Sequence, residues 1–151
     1  QYNLPIMKQL LYLKDDQLKE LIEKLFISYR ETLSDSKKIL NKYKIGLAHQ
    51  KVIHLLSMYK GISISELLKR LKVTKQSLNR DLKDLIKLEI IFFKKDDQDT
   101  RIKHIFLNEK GERVFTEIFE VQKKRINGAL LNSSSEEVVN FDKVLKKIIN
   151  G

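Results

Sequence analysis

Five polar side chains between positions 75 and 83 are of the types that read nucleic acid. Lys75, Gln76, Asn79, Arg80 and Lys83 fall at i, i+1, i+4, i+5 and i+8. On a helix that spacing makes one stripe, roughly opposite Leu78, Leu82, Leu85 and Leu88. In the major groove Gln and Asn pair bidentately with adenine and Arg with guanine, while Lys suits phosphates. An ordinary solvated helix face shows the same stripe, so its context has to decide. A second pair, Asp99 and Arg101, lies two residues apart, on one face of an extended chain. An aspartate so placed can fix a guanidinium and aim it at a narrow minor groove, whose negative potential attracts it. Lys94, Lys95 and Lys103 flank the pair, within reach of phosphates. Taken alone, the pair is a surface ion pair worth ~0–1 kcal/mol.

The neighbouring elements supply the context. Ser63-Ile-Ser-Glu66 reads as a capping box, in which the serine hydroxyl takes an orphan N–H and the glutamate reaches back. The short helix after it turns Leu67, Leu68 and Leu71 inward. Thr74 then caps the helix that carries the stripe. Two helices about three residues apart, the first short and the second longer, have helix-turn-helix spacing. Ile90 to Phe93 reads as a strand, Lys94 to Thr100 as a charged turn, and Ile102 to Leu107 as a second strand. A helix-turn-helix followed by a charged hairpin is a winged helix, whose chemistry is DNA recognition. The recognition helix then offers Thr74, Lys75, Gln76, Ser77, Asn79, Arg80 and Lys83. The wing offers Lys94, Lys95, Asp99, Arg101 and Lys103, and Lys69 and Lys72 add phosphate contacts.

The rest of the chain reads as helix, in keeping with one Pro and five Gly in 151 residues. Leu18, Leu21, Ile22, Leu25, Tyr29 and Leu33 hold helical spacing over about four turns. Before them, Leu4 to Leu13 is an apolar cluster with Pro5 suited to a first helical turn, expected to dock on a partner surface. Gly46 precedes a helix from Leu47 to Tyr59, closed by Gly61, with Val52, Ile53, Leu55, Leu56 and Tyr59 inward. Asn108 caps a further helix through Val114, Phe115, Ile118, Phe119, Val121 and Ile126, weakening at Asn127-Gly128. Ser133 to Ser135 forms a hinge with capping chemistry. A last helix carries Val138, Phe141, Leu145 and Ile148. The apolar content of 4–13, 115–131 and 138–149 exceeds what a small winged helix can cover, which marks an interface. The fold class is mainly α with a small β-hairpin wing.

Composition narrows the partners. Thirty Lys and Arg against twenty Asp and Glu give a net charge of +10, which favours a polyanion, nucleic acid before anionic membrane. With 42% hydrophobic and 33% charged residues the chain is globular. The absence of Cys excludes thiolate metal sites and disulfides within the chain. No apolar run approaches the ~20 residues that span a bilayer, and no signal peptide is visible, so no membrane partner and a cytoplasmic location are expected. His49 and His54, five apart, do not share a helix face as zinc pairs at i, i+4 do, so no metal and no cofactor is expected. His104, in a strand beside the wing, reads as a surface or phosphate-near residue. The acid pairs Asp15-Asp16, Asp96-Asp97 and Glu136-Glu137 sit at expected helix starts or a turn tip, where dipole or solvation roles suffice. With no Gly-rich phosphate loop, nucleophile elbow or Cys/His dyad, an enzyme is not expected.

The run Thr74-Lys-Gln-Ser-Leu-Asn-Arg-Asp-Leu-Lys-Asp-Leu, then Asp99-Thr-Arg101, then Leu107-Asn-Glu-Lys-Gly111 resembles the MarR family of bacterial and archaeal transcription regulators. The family's wing carries Asp-x-Arg and a strand ending in Leu-Thr-x-x-Gly. Here Asp99, Arg101, Leu107 and Gly111 match, and Asn108 stands for Thr. Gly46-Leu47 resembles the start of the family's second helix. The likeness covers roughly residues 15 to 150. Two positions depart from the family's Gly-Leu-x-x-Arg after the recognition helix: Glu89 replaces Gly and Phe93 replaces Arg. A tight left-handed cap is therefore not expected at Glu89, and Lys94 stands in for the lost charge.

The resemblance implies a homodimer, with dimerisation helices in 1–45 and 108–151 interleaved around a winged helix-turn-helix in 46–107. A two-fold dimer sets two recognition helices about one DNA turn apart, ~34 Å, on a pseudo-palindromic operator. It also implies a repressor relieved by a small aromatic or anionic effector in a crevice that Tyr29, Tyr43, His49, His54 and Tyr59 could line. Half-buried packing aromatics would account for the same five residues. Two rival readings are a non-specific architectural DNA binder, which the +10 charge also suits, and a protein-interaction winged helix, toward which Phe93 leans.

Overall fold

The computed structural model describes residues 14–151. The apolar cluster Leu4 to Leu13 lies outside the described residues. Seven helices and three strands form among the described residues: α1 (Asp15–Ser34), α2 (Lys37–Tyr43), α3 (Leu47–Met58), β1 (Ile62–Ser63), α4 (Ile64–Leu71), α5 (Lys75–Lys87), β2 (Ile91–Lys95), β3 (Lys103–Leu107), α6 (Glu109–Leu131) and α7 (Ser135–Asn150). The chain divides into two compact units between Asp35 and Ser36. In the first, α1 buries none of its residues, and Leu18, Leu21, Ile22, Phe26 and Tyr29 are exposed.

The second unit holds the core. Val52, Ile53 and Leu56 of α3, Leu67 of α4 and Leu78, Leu82 and Leu85 of α5 are buried together. Ile91, Ile105 and Leu107 of the sheet and Val114 and Ile118 of α6 complete the cluster. This is the leucine stripe expected for α5, at a spacing of three and four residues, turned inward. Each winged-helix start is capped by the side chain its sequence offers, but at Ser63 only half of the expected box forms, without the return bond from the Glu66 side chain. Ser63 Oγ accepts the Glu66 N–H at 3.1 Å, Thr74 Oγ1 the Ser77 N–H at 3.1 Å, and Asn108 Oδ1 the Gly111 N–H at 2.9 Å. The full reciprocal box forms at Ser134, whose N–H donates to Glu137 Oε1 at 2.9 Å while its hydroxyl accepts the Glu137 N–H.

Four features depart from the sequence reading. The hairpin is part of a three-stranded antiparallel sheet in the order β1-β3-β2, with Ile62 opposite Ile105 and Ser63 opposite His104. A two-residue strand shows no period in sequence, and its pairing comes from burying Ile62 beside Ile105. Strand β2 continues through Lys94 and Lys95, so the wing loop runs from residue 96 to 102. The short helix α2 has only Leu40 buried, too little to show a stripe. Its preceding residue, Ser36, donates a buried hydrogen bond to Gln50 of α3. Finally, α6 runs unbroken through Asn127-Gly128 to Leu131. A glycine in an exposed helix interior costs only ~1 kcal/mol, which a 23-residue helix absorbs.

The expectation at Glu89 is overturned: it adopts the left-handed conformation, φ 59°. The Glu89 N–H donates to the Ile86 carbonyl and the Ile90 N–H to the Leu85 carbonyl, both at 2.9 Å, which closes α5 in a Schellman motif. Burying Ile90 completely, together with these two bonds, outweighs a left-handed cost of ~1–2 kcal/mol for a residue with a Cβ. Lys110 Nζ donates to the Leu88 carbonyl at 2.7 Å and Asn108 Nδ2 to the Glu89 carbonyl, so the turn is tied to the start of α6.

Candidate nucleic-acid interface

Helix α5 presents its polar stripe as one exposed face. Lys75, Gln76, Asn79, Arg80 and Lys83 are exposed, as is the capping Thr74, while Ser77 is half-buried. Leu78, Leu82 and Leu85 opposite are buried and Leu88 is half-buried, so the stripe's direction is fixed by the core. Among the described residues, none of Lys75, Arg80, Lys83, Lys94 or Lys95 takes part in an ion pair. Lys69 and Lys72 are exposed on the preceding helix and turn, with Lys72 itself left-handed at φ 52°.

The wing is a closed loop. The Asp96 N–H donates to the Ile102 carbonyl at 2.9 Å and the Ile102 N–H to the Asp99 carbonyl at 3.0 Å. Asp96 Oδ2 accepts the N–H groups of Gln98 and Asp99, both at 3.0 Å. Asp99 Oδ1 accepts from the Arg101 backbone N–H and from Arg101 Nε, and Asp99 Oδ2 accepts from Arg101 Nη2, all at 3.0 Å. The pair therefore forms, in a turn rather than on an extended strand. The Arg101 guanidinium holds the Asp99 carboxyl below its usual range, and Asp99 in turn raises Arg101. The Arg101 side chain nonetheless remains 89% exposed. Lys103 lies over the Phe93 ring at 5.6 Å, and Phe93 is half-buried against the core.

Two histidines have roles that the sequence did not reveal. His104 is half-buried and bonded through both ring nitrogens, Nδ1 with the Gly61 carbonyl and Nε2 with Asp96 Oδ1, both at 2.8 Å. His49 accepts the Gly46 N–H at Nδ1, 2.9 Å, so its proton sits on Nε2, which donates to Asp84 Oδ2 at 2.9 Å. Asp81 Oδ1 lies 3.9 Å from the same nitrogen. His49, Asp81 and Asp84 thus have the grouping of a cation site. A cation on Nε2 would have to displace the proton that Asp84 accepts and reverse the Gly46 cap. The arrangement is a tie between α3 and α5, joining residues 35 apart in sequence.

The remaining aromatic candidates each have local partners. Tyr43 donates its hydroxyl hydrogen to Glu117, and Lys42 Nζ donates to Glu117 Oε1 at 2.7 Å. These two partners, Lys42 first, lower the Glu117 carboxyl. Together with Glu109, Glu112, Arg113 and Thr116 they line an open groove between α2 and α6. His54 lies 6.4 Å from the Phe115 ring, and Phe115 stacks on Phe119. Tyr59 packs under Arg70 at 3.8 Å. Tyr29 is exposed on α1, in the other unit. Among the described residues no helix is long and apolar enough to cross a membrane.

Known proteins share this fold. The MarR family model matches residues 47–102, the span from α3 to the wing. The HTH-type transcriptional regulator PetP of Rhodobacter capsulatus is 35% identical over 141 residues, covering 93% of this chain and 85% of its own. FabT of Streptococcus pneumoniae, solved in complex with DNA, superposes with a TM-score of 0.72 at 20% identity over 88% of this chain and 95% of its own. A Staphylococcus aureus MarR, solved with salicylate and kanamycin, gives 0.71 at 22% identity over 89% and 91%. A capped recognition helix, an Asp-x-Arg wing and a relative aligned along nearly the whole length agree: the chain belongs to the MarR family of transcription regulators, which are not enzymes.

Proposed function

We propose that this protein is a sequence-specific double-stranded DNA-binding regulator that acts in the cytoplasm as a homodimeric repressor. The observation that carries the reading is the ordered wing arginine. Asp99 holds Arg101 with three hydrogen bonds while leaving its charge in solvent. An exposed ion pair contributes little to folding, and this one leaves the guanidinium open to a partner outside the chain. A narrow minor groove is the partner whose potential suits a fixed guanidinium. Gln76, Ser77, Asn79 and Arg80 would read bases in the adjoining major groove. Thr74 at the helix start, with Lys69, Lys72, Lys75, Lys83, Lys94, Lys95 and Lys103, would meet phosphates.

Dimerisation is supported by uncovered apolar surface. Helix α7 buries none of its residues and exposes Val139, Phe141, Val144, Ile148 and Ile149. The second half of α6 exposes Ile126, Leu130 and Leu131. So much exposed apolar surface marks an interface, and a two-fold copy would cover it isologously. Two winged helices so joined would fit a pseudo-palindromic operator. A small aromatic or anionic effector would relieve repression by favouring a spacing of the winged helices that DNA does not match. Tyr29, Tyr43, His49, His54 and Tyr59 remain the residues we propose for its crevice, and the salicylate-bound structural neighbour makes that chemistry the one to screen first.

The test is a fluorescence-anisotropy titration at ~150 mM salt, with the DNA upstream of the protein's own gene and a shuffled copy. Binding about 10³-fold tighter to the first supports a specific regulator. Equal binding to both favours an architectural role, and no binding to either favours a protein-interaction winged helix.

A further inference from the structure

We propose that His104 is a positioning residue for the wing: clamped between the Gly61 carbonyl and the Asp96 carboxylate, it fixes the loop in which Asp99 aims Arg101. The proposal rests on the DNA-reading role of the wing given above. Both partners of the His104 ring are acceptors. A neutral imidazole has one N–H and can satisfy only one of them, whereas the imidazolium donates to both. Asp96 then links the clamp to the loop. Its Oδ1 accepts from His104, and its Oδ2 gathers the N–H groups of Gln98 and Asp99. Asp99 in turn grips Arg101. A continuous chain of hydrogen bonds thus runs from the β1 turn, through His104, to the wing tip.

The anchor end is also built. Gly61 has φ 76°, and a Cβ there would come within 3.1 Å of the Phe106 ring. Only glycine lets this turn lie against the sheet and present its carbonyl to a side chain 43 residues away. The charges around the ring come from three directions. Asp96 and Asp97 face it from the loop, Lys94 sits across from it on β2, and the uncharged Ser63 is opposite on β1. The carboxylates prevail: Asp96 first, then the Gly61 carbonyl, raise the His104 pKa above 6.5. The protonated clamp is therefore present below 6.5 and lost as pH rises through that raised value.

Two readouts on the full chain test this. In the free protein below pH 6.5, nitrogen NMR should show both His104 ring nitrogens protonated and the Arg101 Nε–H protected from exchange. His104→Gln, which keeps one donor, should expose that Nε–H and weaken binding to the best-bound duplex about tenfold. The same substitution in an Arg101→Ala background should cost nothing more, because the effect passes through Arg101. If His104→Gln fails to fold, the unaltered protein still decides. Its Arg101 Nε–H exchange should accelerate more steeply than base catalysis alone requires as pH rises through the His104 titration. Unchanged Nε–H exchange, or losses from His104→Gln and Arg101→Ala that simply add, overturns the proposal. A wild type that binds no duplex overturns the DNA reading instead, and the NMR readouts on free protein still judge the clamp.

Discussion

Gly111 is the position where a single methyl group would do most damage. A Cβ there would lie 2.1 Å from the Ile90 carbonyl oxygen and 3.2 Å from Leu107 Cβ. The shortest ordinary carbon–oxygen contacts are ~3.3 Å, so the start of α6 would have to withdraw by about 1 Å. The Ile90 oxygen cannot swing aside, because it accepts the Asn108 N–H at 3.0 Å. Withdrawal would therefore break that bond, worth ~1 kcal/mol. It would also loosen the Asn108 cap on Gly111, worth another ~1 kcal/mol. Residual overpacking adds ~1–3 kcal/mol, and the better helix propensity of alanine returns up to ~1 kcal/mol. The balance is a loss of about 3 kcal/mol. With a urea slope of ~2 kcal/mol per molar, the unfolding midpoint of Gly111→Ala should fall by ~1.5 M at fixed protein concentration. Gly128→Ala is the control. It sits in the same helix with nothing within 4 Å of the added carbon, and should gain up to ~1 kcal/mol. A drop below ~0.5 M for Gly111→Ala, or equal effects of the two alanines, would refute the close approach of α6 to Ile90.

Other outcomes follow from the same geometry. Glu89→Gly should raise stability by about 1 kcal/mol by relieving a left-handed glutamate, read as a higher urea midpoint; a lower one would mean that the side chain does more than occupy the turn. Lys75→Ala should weaken all duplexes alike and reduce the salt slope of binding by about 1, as loss of one phosphate contact requires; an unchanged slope would remove Lys75 from the interface. Acid should destabilise the fold. Asp96, held down first by His104, and Asp99, held down first by Arg101, titrate below 3.8, and Glu117 and Glu137 titrate below 4.5. Because the folded values are depressed, their stabilisation is present above those unfolded values and is lost as pH falls through the lower folded ones. A urea midpoint that stays flat as pH falls from 4.5 downward would contradict these pairings.

Short-range signals carried most of the fold. The leucines of α5, the caps at Ser63, Thr74 and Asn108, and the Asp99–Arg101 pair are all settled within a few residues, and each forms, although the pair sits in a turn rather than on an extended strand and Ser63 gains only half of its box. What the sequence hid depends on distant partners. Strand β1 exists because Ile62 meets Ile105, and α2 docks through Leu40 and the Ser36–Gln50 bond. The clamp on His104 needs Gly61, and the tie at His49 needs Asp84; no periodicity connects either pair. Glu89 shows the other kind of miss. Residue type argued against a left-handed turn, and burial of Ile90 with two backbone bonds overrode it. The basic stripe was legible as residue types, and the buried leucines opposite fixed its direction.

The most direct test of the central claim is selection of bound duplexes from a random DNA library by the full-length protein. Two recognition helices on a two-fold dimer should enrich a pseudo-palindrome with half-sites about 10 base pairs apart, and Arg101→Ala should relax the preference where the minor groove is narrow. A selected pool with no shared sequence, or one with a single unrepeated half-site, would contradict a symmetric, sequence-reading regulator.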